Sequence, residues 1–176
     1  MRRRVWGVAL LCLGVAVACS SGSSSSPTTT TTATSTTTST TSPSSPLAVV
    51  QMYVDDLNRG DGAAAVALFA VDATFQTPLG GCLPCTGRDS FSDRLIRAAA
   101  SKAQITLVST SVSGDTVTGR AELRSPNFPP GVERAVGPFT AVVHDGQITS
   151  LAQDYDASDP QTAMLLAAVN GQSASS

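Results

Sequence analysis

Histidine is nearly missing from this chain: His144 is the only one, and it stands beside Asp145 and Gly146 in what reads as an exposed hairpin turn with no assigned role. Paired metal ligands are missing too, so a zinc centre would be short of donors. There is no Gly-rich phosphate loop, no Ser/His/Asp order and no basic patch interleaved with aromatics, so nothing in the chain calls for a nucleotide, a nucleic acid or any cofactor. No internal repeat or heptad is present. The apolar run from Val5 to Val17 is too short to span a bilayer.

That run has a different reading. Arg2, Arg3 and Arg4 precede it and small residues follow it, which predicts a secretory leader over residues 1–18. Ala16-Val17-Ala18-Cys19 resembles the lipobox of bacterial lipoproteins. The resemblance implies that Cys19 is thioether-linked to diacylglycerol and becomes the mature N-terminus, placing the protein in the cell envelope, on the outer face of the cytoplasmic membrane. Loss of the three arginines leaves eight basic residues against thirteen acidic ones, an excess that argues against nucleic acid or an anionic membrane surface as partner.

Residues 20–46 comprise eleven Ser, eleven Thr, three Pro, one Gly and one Ala, with no charge and no large apolar group. Such a segment cannot bury enough surface to offset chain entropy, so with Cys19 it forms a lipidated, disordered tether over residues 19–46. It spans roughly 30 Å as a coil and about 80 Å fully extended. Its composition suits an O-glycosylated stalk or an unmodified spacer equally.

The remaining chain, residues 47–170 with a disordered tail at 171–176, reads as one domain of ordinary size. Ser45 and Pro46 supply a cap and a first helical residue, Val50, Tyr53, Val54 and Leu57 repeat at helical spacing, and Asn58-Arg59-Gly60 ends the helix. Asp61 caps a second helix, Gly62 to Phe69, with Ala63, Val66 and Phe69 as its stripe. Thr74 to Thr77 is a short strand. Asp89 caps a third helix whose Phe91, Leu95 and Ala98 share a face. After Lys102 the period falls to two: strands are expected around Ile105–Val108, Thr116–Arg124, Phe139–Val143 and Ile148–Tyr155, with Ser113-Gly114-Asp115 and His144-Asp145-Gly146 as hairpin connections. A short helix follows from about Asp159 to Val169. Helices followed by an antiparallel meander give an α+β domain.

Asp72-Ala-Thr-Phe, then Pro78 and a Gly-rich loop, then Gly87-Arg88-Asp89 opening a helix, is similar to the first strand of the ketosteroid-isomerase-like, SnoaL-like superfamily, the nuclear transport factor 2-like cone. The resemblance covers roughly Leu47 to Tyr155. It implies a cone-shaped domain: three N-terminal helices packed on a curved mixed or antiparallel sheet, with a cavity between them. It also implies a pocket drawn from Tyr53, Asp56, Phe75, Thr77, Phe139, Asp154 and Tyr155. Tyr53 matches the oxyanion tyrosine of the isomerases. Thr77 stands before Pro78 where they have the Asp base, and the second oxyanion acid falls at or near Phe139. A hydroxyl with no base beside it cannot abstract a carbon-bound proton near neutral pH, so no catalytic residue is assigned. Asp56, Asp154 and Asp156 remain as acids that could serve other chemistry.

Cys82-Leu83-Pro84-Cys85 is an insertion into the family pattern. Metal binding lacks further ligands and a thioredoxin-type redox pair lacks its βαβ context. In an exported protein the simplest reading is a structural disulfide pinning a loop at the cavity mouth. The leading expectation for function is a non-enzymatic envelope lipoprotein whose cone binds a small apolar ligand or a protein partner. The alternatives are a hydratase-, dehydratase- or cyclase-like enzyme on a lipid-like or polyketide-like substrate, and an assembly module forming a homodimer through the open sheet face. Phe128, in the loop Pro126–Gly131, could cover the cavity or shield the sheet edge. If the anchor is real, mass spectrometry of the mature N-terminus will find lipid on Cys19, and Cys19→Ala will leave the membrane fraction. An unmodified N-terminal peptide would refute it.

Overall fold

The computed structural model describes residues 45–79 and 81–173; the leader, Cys19, the tether up to Ser44 and the last three residues lie outside the described residues. Helix α1 (Pro46–Arg59) begins at Ser45, whose side chain accepts the Ala48 N–H, and closes at Gly60, whose left-handed φ of 84° lets its N–H reach the last carbonyls. Helix α2 (Gly62–Ala67) is capped by Asp61, whose carboxylate accepts the Ala64 N–H at 2.9 Å. Then come β1 (Phe69–Thr77), β2 (Cys82–Thr86), α3 (Asp89–Ala100), β3 (Gln104–Ser113), β4 (Thr116–Arg124), β5 (Ala135–His144), β6 (Gln147–Gln153) and α4 (Pro160–Ser173).

The strands form one six-stranded mixed sheet in the order β2-β1-β6-β5-β4-β3, antiparallel throughout except for the parallel β1–β6 pair. Helix α1 lies against β3 to β6 and packs on α2 and α3, while α4 rests on β5. The main core lies between sheet and helices, with Val49, Phe69, Phe91, Val117 and Ile148 almost wholly shielded from solvent. Among the described residues no helix is long and apolar enough to cross a membrane.

Four expectations need correction. Helix α2 stops at Ala67, and Phe69 opens a nine-residue first strand instead of ending that helix. Phe69 pairs with Ile148 of β6, and its carbonyl accepts Arg88 Nη1 at 3.1 Å, so tertiary contacts override the helical stripe. The bulge between Phe69 and Thr74 breaks the strand alternation, which hid the first half of β1. The Cys82–Cys85 segment is a strand and not a loop: Phe75 pairs with Cys85 and Thr77 with Cys82. Its two sulfurs are bonded at 2.06 Å. Asp89 is the first residue of α3 and caps nothing, since Arg88 holds the cap position without a side-chain hydrogen bond. Helix α4 runs to Ser173, three residues into the segment expected to be a disordered tail.

Edge strand β3 is tied to α1 by one side chain. Asn58 Nδ2 donates to the Ile105 carbonyl at 2.8 Å, and the Ile105 N–H donates to Asn58 Oδ1 at 2.7 Å. Asn58→Ala would strip partners from both half-buried backbone groups, so denaturant unfolding should report a loss of about 1–3 kcal/mol. A loss no larger than a typical surface substitution would show that the clamp does not hold the edge.

Candidate functional site

A cavity of about 240 Å³ opens between the helices and the concave side of the sheet. Helix α1 contributes Tyr53 and Leu57, one turn apart; β1 contributes Phe75 and Thr77; α3 contributes Arg94, Leu95 and Ala98. Ile105, Leu123 and Phe128 form another wall, Phe128 coming from the Pro126–Gly131 loop. A small void of about 20 Å³ continues behind Tyr53 and Gln153, reaching Phe139 and Leu107.

Tyr155 enters because the end of β6 departs from regular pairing. The chain passes so close to β5 that a Cβ on Gly137 would sit 2.0 Å from the Asp154 carbonyl oxygen, so only glycine admits it. Asp154 N–H donates to Pro138 O and Asp156 N–H to Val136 O, which keeps the backbone satisfied across the irregularity. Tyr155 is buried against Leu165 of α4 and hydrogen-bonded to the Thr77 side chain.

Of the seven residues expected in the pocket, Tyr53, Phe75, Thr77 and Tyr155 line this cavity together. Phe139 does not line it; it reaches the small void behind and a surface hollow on the other side. Asp56 is buried elsewhere, ion-paired with Arg59 one turn on. Asp154 is exposed and lines a surface hollow with Gln76 and Thr140. The structure also adds two residues that the sequence reading missed. Arg94 Nε and Gln153 Nε2 are buried in the cavity wall and have no hydrogen-bond partner, and among the described residues they are the only buried side-chain polar atoms in that condition.

A larger groove of about 420 Å³ lies on β4 and β5 and the segment leading into α4. Its charges are spent on one another: Arg120 pairs with Asp156 at 2.8 Å, and Arg134 with Glu122 at 3.3 Å and Asp159 at 3.0 Å. Hydrogen bonds from Ser158 and Arg120 lower the Asp156 pKa to about 2. Among the described residues no cluster of three His, Cys, Asp or Glu side chains could hold a metal ion.

Burial, with Tyr155 beside it, raises the Tyr53 phenol pKa, and burial raises that of Tyr155 to about 12, helped by Asp154 and opposed by the Thr77 hydrogen bond. Both are neutral donors near pH 7. They are the only two tyrosines, so phenolate absorbance reads the cavity directly. An unfolded phenol ionises near pH 10 while the folded ones stay protonated. The unfolded state therefore sheds protons first, and stability falls as pH rises above about 10, by up to about 1.4 kcal/mol per pH unit for each tyrosine. Phenolate absorbance should stay low until unfolding; a folded protein ionising with a midpoint near 10 would contradict the geometry.

Comparison with known proteins agrees with this architecture. An NTF2-like protein of unknown function from Cytophaga hutchinsonii superimposes with a TM-score of 0.55 at 16% identity, covering 67% of this chain and 96% of its own. The epoxide hydrolase/cyclase-like enzyme of pyran ring formation in the polyether salinomycin gives 0.54 at 21%, covering 65% and 92%. A computationally designed 17-OHP binder gives 0.55 at 21%, covering 65% and 93%. Among curated proteins, nothing matches the chain. The SnoaL-like domain model matches residues 50–151, more than half of the sequence, and the chain belongs to that family.

Proposed function

We propose that this domain is a binding module for a compact, mostly apolar molecule, held at the outer face of the cytoplasmic membrane by a lipid on Cys19 and the Ser/Thr-rich tether. The carrying observation is the make-up of the cavity wall: aliphatic and aromatic surface, two phenols, hydroxyls, one guanidinium and one carboxamide, with every nearby carboxylate directed elsewhere. The volume is slightly below the ~300–1,000 Å³ usual for small-molecule sites, which favours a ligand of one or two rings. That a designed 17-OHP binder shares the fold supports a cone used for binding alone.

The enzyme-like neighbour keeps a second reading in view, in which the phenols act as donors in altered chemistry. It lacks a proton acceptor in the wall, and a general base contributes about 10² to 10⁴-fold. Thr77, where the isomerase base would stand, is engaged with Tyr155. Incubated with a β,γ-unsaturated ketosteroid, the protein should form no conjugated product above the uncatalysed rate. Turnover that disappeared in Tyr53→Phe would overturn the binding reading and put the enzyme in its place.

A further inference from the structure

Resting on that binding reading, the geometry points to the ligand's class: we infer that the cavity takes an apolar molecule bearing one carboxylate, with Arg94 and Gln153 as the partners of its head group. Arg94 lies on the cavity-facing side of α3, one turn after Phe91 and one turn before Ala98. It makes no ion pair with any described residue, unlike Arg59, Arg120, Arg124 and Arg134 and like Arg88 and Arg97. Gln153 approaches the same space from the last residue of β6. Each leaves a buried N–H without an acceptor.

A buried donor without an acceptor is costly, and a cation against apolar surface more so, unless a ligand completes it. The missing piece must accept hydrogen bonds and carry negative charge. A carboxylate fits the planar guanidinium fork, and its single charge matches the single cation in the wall. A phosphate dianion would bring an uncompensated charge into an apolar cavity. Leu57, Phe75, Leu95, Ile105 and Leu123 make most of the remaining wall apolar, so the body of the ligand is mostly hydrocarbon.

The test uses a matched pair of bicyclic probes, naphthoate and its neutral counterpart naphthylmethanol, titrated into the full chain by calorimetry. Naphthoate should bind the unaltered protein roughly tenfold to a hundredfold more tightly than the alcohol, the span expected for hydrogen bonds to a charged group. Arg94→Met, which keeps the aliphatic stem, should erase that preference. Gln153→Leu should reduce it by a smaller factor. Equal affinity, or preference for the alcohol, in the unaltered protein would overturn the carboxylate assignment and leave the binding module standing. Binding of neither probe would overturn both. The comparison within the unaltered protein decides the matter even if Arg94→Met fails to fold.

Discussion

Phe69 is the contact on which the domain turns. Its side chain is fully buried, and its ring meets those of Tyr53 at 5.5 Å, Phe75 at 6.3 Å and Phe91 at 5.1 Å, the first two almost perpendicular. Edge-to-face pairs of this kind add about 0.5–1.5 kcal/mol each beyond the area they bury. Because the partners sit on α1, β1 and α3, one residue fixes the mutual positions of the three elements that form most of the cavity. Arg88 secures the same point from the polar side by donating to the Phe69 carbonyl. Tyr53, Thr77 and Arg94 are then placed by rigid neighbours: each lies within a short step of a ring in that cluster.

The other end of the cavity is held by polar contacts. Thr162, wholly buried at the start of α4, accepts the Val136 N–H at 3.0 Å and donates to Asp159, whose carboxylate also accepts the Thr162 N–H. Arg134 bridges Asp159 to Glu122 of β4. The ion pairs are half exposed and contribute little by themselves. The buried threonine is different, because without it the Val136 N–H would be stranded. It keeps α4 over Tyr155 and Phe128, which gives the cavity its far wall.

How much of this the sequence disclosed follows from periodicity. The helix caps at Ser45 and Asp61, the stripe through Tyr53 and Leu57, and the hairpins at Gly114 and Gly146 were readable because local chemistry and final structure agree. The α+β class followed from them. The first half of β1 was hidden by a bulge, and β2 by its Cys-Leu-Pro-Cys wording, which offers no alternation. In the site the errors were errors of phase. Asp154 alternates with Leu151 and Tyr155 in the wrong sense for an inward residue, whereas Gln153 lies in phase with both. The third helix was read from Phe91, Leu95 and Ala98 alone, and Arg94 between them went unread, yet its spacing from Phe91 and Ala98 puts it on the inner stripe. Phase, applied to every polar residue on an otherwise apolar face, would have found both.

That phase rule also explains why the two belong together. Elsewhere in the domain, polar side chains that enter the interior arrive with their partners: Asn58 clamps Ile105, Asp56 meets Arg59, Thr162 meets Val136 and Asp159. A sequence consistent at every level leaves no buried donor without an acceptor, and departures from that consistency concentrate at functional sites. Here the departures are Arg94 and Gln153, brought from positions on a helix and a strand about sixty residues apart in the chain into one wall of one cavity. Random imperfection would scatter such atoms through the core. Their convergence, in a space otherwise lined by hydrocarbon, hydroxyls and neutral phenols, is what a recognition site looks like when its ligand supplies the acceptor.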